Sequence, residues 1–144
     1  MNSVKRTAGV LSASLFAITA GAFATAAPAA AASRNIDNSS WSVPASCNNS
    51  TNLLCLYYRG SLGGAMFSMR GYVSNLNNAR FSGSGDGSGL QVRNRAASMA
   101  NASFALTGYS WVYINRGGNY DYLPPGGAGQ LYYTWNNGAS AEII

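Results

Sequence analysis

The chain has 144 residues, nine lysines and arginines against four acids, and no histidine. The net charge is +5 over the whole chain and +3 from residue 33 on (seven arginines against four acids), where the charges are scattered singly, so no basic stripe forms there that would track nucleic-acid phosphates. Without histidine there is no Ser-His-Asp triad, no Cys–His pair and none of the common histidine-containing zinc sites.

Residues 1–32 read as a secretory signal peptide. Lys5 and Arg6 precede an apolar run over 9–24, and small residues fill 25–33. The run is diluted by Gly, Ser and Thr and falls short of the roughly 20 apolar residues of a spanning helix, so no stable membrane anchor is expected. Cleavage is expected near 29–32, after Ala29 or after Ala32. The remainder, 33–144, is one domain's worth of chain, with seven arginines, no lysine and four acids. The only cysteines are Cys47 and Cys55. Export and an even count imply a disulfide between them, and closing so short a loop contributes about 2.5 kcal/mol.

Residues 33–42 are polar and predict a loose lead-in, with Trp41 and Val43 available to pack. After the polar loop 48–52, residues 53–58 alternate as a strand: Leu54, Leu56 and Tyr58 share one face, Cys55 and Tyr57 the other. Gly60, Gly63 and Gly64 mark a turn. Residues 65–70 form a second strand, with Ala65, Phe67 and Met69 on one face. Residues 71–78 are turn-rich, with Leu76 available to the core. The stretch FSGSGDGSG, 81–89, predicts a flexible excursion.

Residues 90–92 are short and apolar. Alanines suggest a helix over 96–106, but Ser98, Asn101, Ser103 and poor apolar spacing argue against one. Residues 111–114 alternate as a strand, 115–119 turn, and 120–123 form a strand stopped by Pro124 and Pro125. Further strands are predicted over 131–135 and 141–144. Many short strands between glycine-rich turns predict an all-β sandwich or barrel. A repeat organises them: strand, glycine turn, strand, a leucine element (VSNLNN, AGQLYY), then an Asn/Ala/Ser segment (VRNRAAS, WNNGAS). Two such units would bury one shared core.

The stretch CNNSTNLLCLYYRGSLGGAMF, with the later VRNRAASMAN, resembles peptidase inhibitor family I36, the secreted Streptomyces metalloproteinase inhibitor-like proteins. The resemblance covers 42–144. It implies a βγ-crystallin-like sandwich of two Greek-key motifs, and inhibition of a metalloprotease or other extracellular peptidase. In the crystallin signature Tyr57 takes the first aromatic place and Gly64 the glycine, with Leu62 where the second aromatic is expected. In the second motif Tyr113 is matched to the first aromatic, while Gly118 and Tyr120 fall at the later places.

The resemblance also implies calcium at Asn/Asp–Asn/Asp–x–x–Ser/Thr–Ser. Asn136, Asn137 and Ser140 match in NNGASA, and Asn94 and Ser98 in RNRAAS. Calcium takes six to eight oxygen ligands; neither stretch has a carboxylate, and Arg93 and Arg95 flank the first. Side-chain bonding to local backbone is the competing role. No other cofactor is implied.

Among the four acids, Asp86 sits in the glycine stretch and Asp37 in the lead-in; Asp121 and Glu142 are the pair that could approach one another, yet a paired-carboxylate hydrolase also needs a shaped cleft, so an enzyme is not expected. For inhibition, the candidate loop is the proline-stiffened stretch of Tyr120, Tyr122, Leu123, Pro124 and Pro125, offered preorganised to the peptidase. The alternative is a non-enzymatic envelope protein in which Trp41, Trp111 and Trp135 stack on cell-wall polysaccharide.

Overall fold

The computed structural model describes residues 29–47 and 53–144. The expected signal peptide through residue 28 and the polar loop 48–52 lie outside them. Among the described residues nine strands form: β1 (Ser33–Asn35), β2 (Leu54–Tyr57), β3 (Met66–Met69), β4 (Tyr72–Val73), β5 (Ser98–Asn101), β6 (Gly108–Tyr113), β7 (Gly117–Leu123), β8 (Ala128–Gln130) and β9 (Ser140–Ile143). Among the described residues no helix is long and apolar enough to cross a membrane.

The strands make two sheets, β3-β2-β5-β8 and β1-β7-β6-β9-β4. The order shows two interlocked Greek keys. The first motif gives β2, β3 and β5 to one sheet and sends β4 across to the other. The second gives β6, β7 and β9 to that other sheet and sends β8 back. Leu54, Leu56, Met69, Val92 and Met99 meet Leu123, Ala141 and Ile143 in the core. The leucine elements supply matching plugs, Leu76 and Leu131, each 1% exposed.

The face assignment of β2 follows from alternation. Leu54, Leu56 and Tyr58 belong to the core between the sheets; Cys55 and Tyr57 belong to a second cluster on the outer side. The same holds for β3, where Phe67 and Met69 point in and Met66 points out.

Three expectations are corrected. The segment 33–42 is not loose. β1 pairs in parallel with β7 along Ser33↔Tyr120 to Asn35↔Tyr122, and Asn38 N donates to the Ala128 carbonyl at 2.9 Å. Gly129 permits this close approach, since a Cβ there would stand 1.7 Å from the Ile36 carbonyl oxygen. The glycine stretch 81–89 is not a free excursion either. Phe81 is buried, Ala65 N donates to the Asp86 carbonyl at 2.8 Å, and Arg59 pairs with Asp86 at 2.5 Å. Tyr58 lies on Gly87 where any Cβ would collide, 2.2 Å from the ring. Finally, 131–135 is not a strand. The Asp121 carboxylate accepts from Tyr132 N (2.9 Å), Tyr133 N (3.2 Å), Thr134 N (2.9 Å) and Thr134 Oγ1 (2.7 Å). Those backbone donors go to a buried anion instead of a ladder, so the strand stops at Gln130.

From β1 the chain crosses as a strap over the outer face of the first sheet. Trp41 and Val43 pack on Cys55, Tyr57, Ala100 and Ala128, and the Cys47–Cys55 disulfide ties down the strap's end. Beneath it the Tyr57 hydroxyl has no hydrogen-bond partner among the described residues. Burial pushes that phenol above its ordinary value; Ser46 pulls the other way without reaching hydrogen-bonding geometry.

Replacing both Cys47 and Cys55 with Ser should cost about 2–3 kcal/mol in a urea melt. Limited proteolysis should then cut first between 37 and 47, because the strap loses its covalent end; an unchanged cleavage pattern would show that packing alone holds it.

Candidate functional site

The two motifs correspond in local backbone geometry as well as in topology. Tyr57 stands to Gly64 as Trp111 stands to Gly118. Leu62 and Arg116 are left-handed counterparts (φ 58° and 61°), as are Gly64 and Gly118 (75° and 74°). The first aromatic of the second motif is therefore Trp111, not Tyr113, and Arg116 occupies the second aromatic place. Arg116 is bound to Glu142, by Nε at 2.6 Å and by a second short contact from Nη2, and its guanidinium lies 4.1 Å over the Tyr72 ring. Hydrogen bonding to Glu142 raises the Arg116 pKa further above its ordinary value.

The residues matched to the calcium motif sit at the junction of the motifs. Ser98 Oγ donates to the Arg59 carbonyl at 2.7 Å and accepts from Leu62 N at 3.0 Å. Ser140 Oγ donates to the Tyr113 carbonyl at 2.7 Å and accepts from Arg116 N at 3.2 Å. Each serine thus locks the tip of its own hairpin. Asn94 and Asn136 both take left-handed backbone (φ 59° and 50°). Asn94 N donates to the Gly138 carbonyl and Asn136 N to the Ala96 carbonyl, both at 2.8 Å. The structural register therefore pairs Asn94 with Asn136 and Ser98 with Ser140, one residue off the pairing of RNRAAS with NNGASA read from the sequence; Asn137 then corresponds to Arg95.

These donors fit calcium poorly. The serine hydroxyls and the carbonyls beside them are already bonded to each other. In the orientation that satisfies both its amide atoms, Asn136 donates to the Arg95 carbonyl (3.2 Å) and accepts from Trp135 Nε1 (3.3 Å). The cleft beside Asn94 and Asn136 is lined by Arg59 and Arg95, and no group of three acidic or thiol ligands exists among the described residues.

Asp121 and Glu142 do not approach one another. Ser110 pairs with Asp121 on one side and Ala141 on the other, so Glu142, the next residue, points to the opposite face. Asp121 is spent on the 132–134 turn and Glu142 on Arg116.

Of the candidate inhibitory stretch, Leu123 is fully buried in the core. Tyr120 and Tyr122 lie flat on the outer face of the second sheet. There Tyr109 stacks on Trp111 (5.3 Å, 17°), with Tyr120 and Tyr122 tilted alongside at 6.0 and 6.2 Å from Tyr109. Pro124 is half-buried, and the exposed tip is Pro125 and Gly126. The three tryptophans do not share a platform: Trp41 packs from the strap onto the first sheet, Trp111 lies in this ladder, and Trp135 is exposed beside the Asn94–Asn136 cleft.

The Pro125–Gly126 tip is braced to a neighbour that sequence reasoning passed over, the connection between the motifs at 102–107. Gly126 N donates to the Ser103 carbonyl at 3.0 Å. Beneath both loops lies Asn101, fully buried. Its Nδ2 points at the carbonyls of Leu106 (2.8 Å), Pro124 (3.0 Å) and Leu123 (3.2 Å), and its Oδ1 accepts from Ser103 N at 3.0 Å. Ser103 Oγ in turn accepts from Ala105 N and Leu106 N, at 3.2 and 2.9 Å. Asn101 and Ser103 are turn-forming types two positions apart, the one signal in the sequence that pointed here.

No protein-family model matches the sequence, and no curated protein does. Two solved structures resemble the fold. One comes from work on the evolution of the eye-lens βγ-crystallin domain fold, at 14% identity and a TM-score of 0.53, covering 67% of this chain and 89% of that one. The other is the N-terminal domain of protein S, at 15% identity and a TM-score of 0.49, covering 64% and 94%. The fold is that of a βγ-crystallin domain.

Millimolar calcium should leave the melting temperature within about 1 °C of its value in chelator, since a ligand that does not bind the native state cannot stabilise it. A rise of several degrees would show that the hairpin locks open to receive the ion. Asn101→Ala should cost about 2–3 kcal/mol in urea, because it strands buried backbone groups from two loops at once.

Proposed function

We propose that the protein is secreted, acts by binding rather than by turnover, and inhibits an extracellular peptidase. The resemblance to peptidase inhibitor family I36 brings the target class. The observation that carries the reading is the cross-braced pair of loops at one end of the sandwich, 102–107 and 124–127, fixed from below by Asn101. A loop ordered in advance loses little entropy on entering a cleft, so more of its contact energy appears as affinity. Of the stretch expected to inhibit, Pro125 and the Gly126 beside it are available for contact; Tyr120, Tyr122 and Leu123 serve as sheet and core.

A second reading has its own observation. The ladder of Tyr109, Trp111, Tyr120 and Tyr122 occupies the outer face of the second sheet, which among the described residues no strap covers, and aromatic rings in a row suit the apolar faces of cell-wall sugars.

The test is a titration of the oxidised protein, starting after the signal peptide, against a panel of secreted peptidases with thermolysin-like metalloproteases included. Stoichiometric, saturable inhibition with the chain recovered intact is the expected result. A folded protein that inhibits none of them, yet is pulled down by insoluble cell-wall polysaccharide and released by Tyr109→Ala, would establish the second reading instead.

A further inference from the structure

Phe104 is 96% exposed, more than any other large apolar side chain among the described residues. Nothing about its loop is loose. Ser103 before it and Ala105 and Leu106 after it are tied through Asn101 Oδ1 and Ser103 Oγ. Thr107 exchanges backbone bonds with Ile144, with N···O distances of 2.7 and 3.1 Å. No residue of 102–107 has left-handed backbone. The Phe104 N–H and C=O have no hydrogen-bond partner among the described residues.

A phenylalanine held rigidly in water forgoes its own burial, and a mobile loop would fold it back onto the surface. Here the bonding on both sides prevents that. Beside it lies a shallow hollow lined by Trp41, Val43, Ala102 and Gly126, so a ring stands next to a recess. The segment carries no charge, which suits an apolar pocket and would leave a charged one unpaired.

We infer that Phe104 is the anchor of the inhibitory surface, a knob that fills an apolar pocket in the cleft of an extracellular peptidase, with the Trp41–Val43 hollow receiving the cleft's rim. The inference rests on the inhibitor reading. The ring supplies buried area, the free Phe104 amide and carbonyl supply hydrogen bonds to the cleft wall, and the Asn101 brace supplies preorganisation.

The experiment measures inhibition constants of the intact, oxidised protein and its Phe104→Ala, Phe104→Leu and Phe104→Asp variants on the most strongly inhibited peptidase of the panel. Melting temperature and sedimentation are followed in parallel. Phe104→Ala should weaken inhibition by about 30-fold or more, with an unchanged melting temperature because the ring packs on nothing. Phe104→Leu should keep most of the inhibition and Phe104→Asp should lose the most. Wild-type inhibition that survives Phe104→Ala would overturn the anchor and leave the inhibitor reading standing. A wild-type protein that inhibits nothing takes both down. Inhibition unchanged, but a dimer that dissociates on Phe104→Ala, would assign the knob to the hollow of a second copy and likewise overturn the inference.

Discussion

Neither Greek key can bury its own inner face, and the rest of the architecture answers that constraint. A four-stranded motif with one apolar side needs a second layer, and here each motif lends a strand to the other's sheet. The exchange is held by paired backbone bonds, Asn94 to Gly138 and Asn136 to Ala96, that place one motif's left-handed asparagine against the other's chain. Ser98 and Ser140 then fix each hairpin to the strand beneath it. The two serine hydroxyls that a metal-site pattern would claim are thus occupied within their own hairpins, while the backbone of Asn94 and Asn136 joins the two halves.

The near-symmetry inside contrasts with asymmetry outside. The strap and its disulfide cover the outer face of the first sheet, and Tyr57 sits beneath them. Its counterpart, Trp111, stands on the outer face of the second sheet, where among the described residues the rings of Tyr109 and Tyr120 lie against it. Packing between rings and across strands satisfies much of that surface, so Trp111 is only 7% exposed. Arg116 plays a related part. In the second aromatic place it still lies over a ring, Tyr72, while its charge is answered by Glu142.

How much of this the sequence disclosed depends on the range of the interactions. Period-2 alternation over 53–58 assigned both faces of β2 because alternation is local. The repeat was visible through Leu76 and Leu131, the leucines of VSNLNN and AGQLYY. The strand expected over 131–135 failed because its aromatics favour sheets, while the carboxylate that takes its donors is Asp121, outside any local window. The second crystallin signature was read from Tyr113 because an arginine in an aromatic place hides the true start at Trp111. The one-residue slip in the calcium-like stretches has a similar source: both copies are degenerate, and left-handed backbone at Asn94 and Asn136 fixes their equivalence where letters do not.

The candidate site was the least legible part, for a physical reason. A sequence reading assigns phenylalanine to the core and proline to exposed turns, so 120–125 was singled out and Phe104 was not. Leu123, inside that stretch, turned out to be core, since a strand ending at a proline still points alternate side chains inward. What exposes Phe104 is not its own chemistry but the bonding around it. Asn101, buried between loops far apart in sequence, uses its amide to hold both, and Ser103 uses its hydroxyl to finish the turn. A buried polar side chain with all its partners specifies one conformation where an apolar one of similar size would permit several. That specificity is what can hold a large apolar ring in solvent.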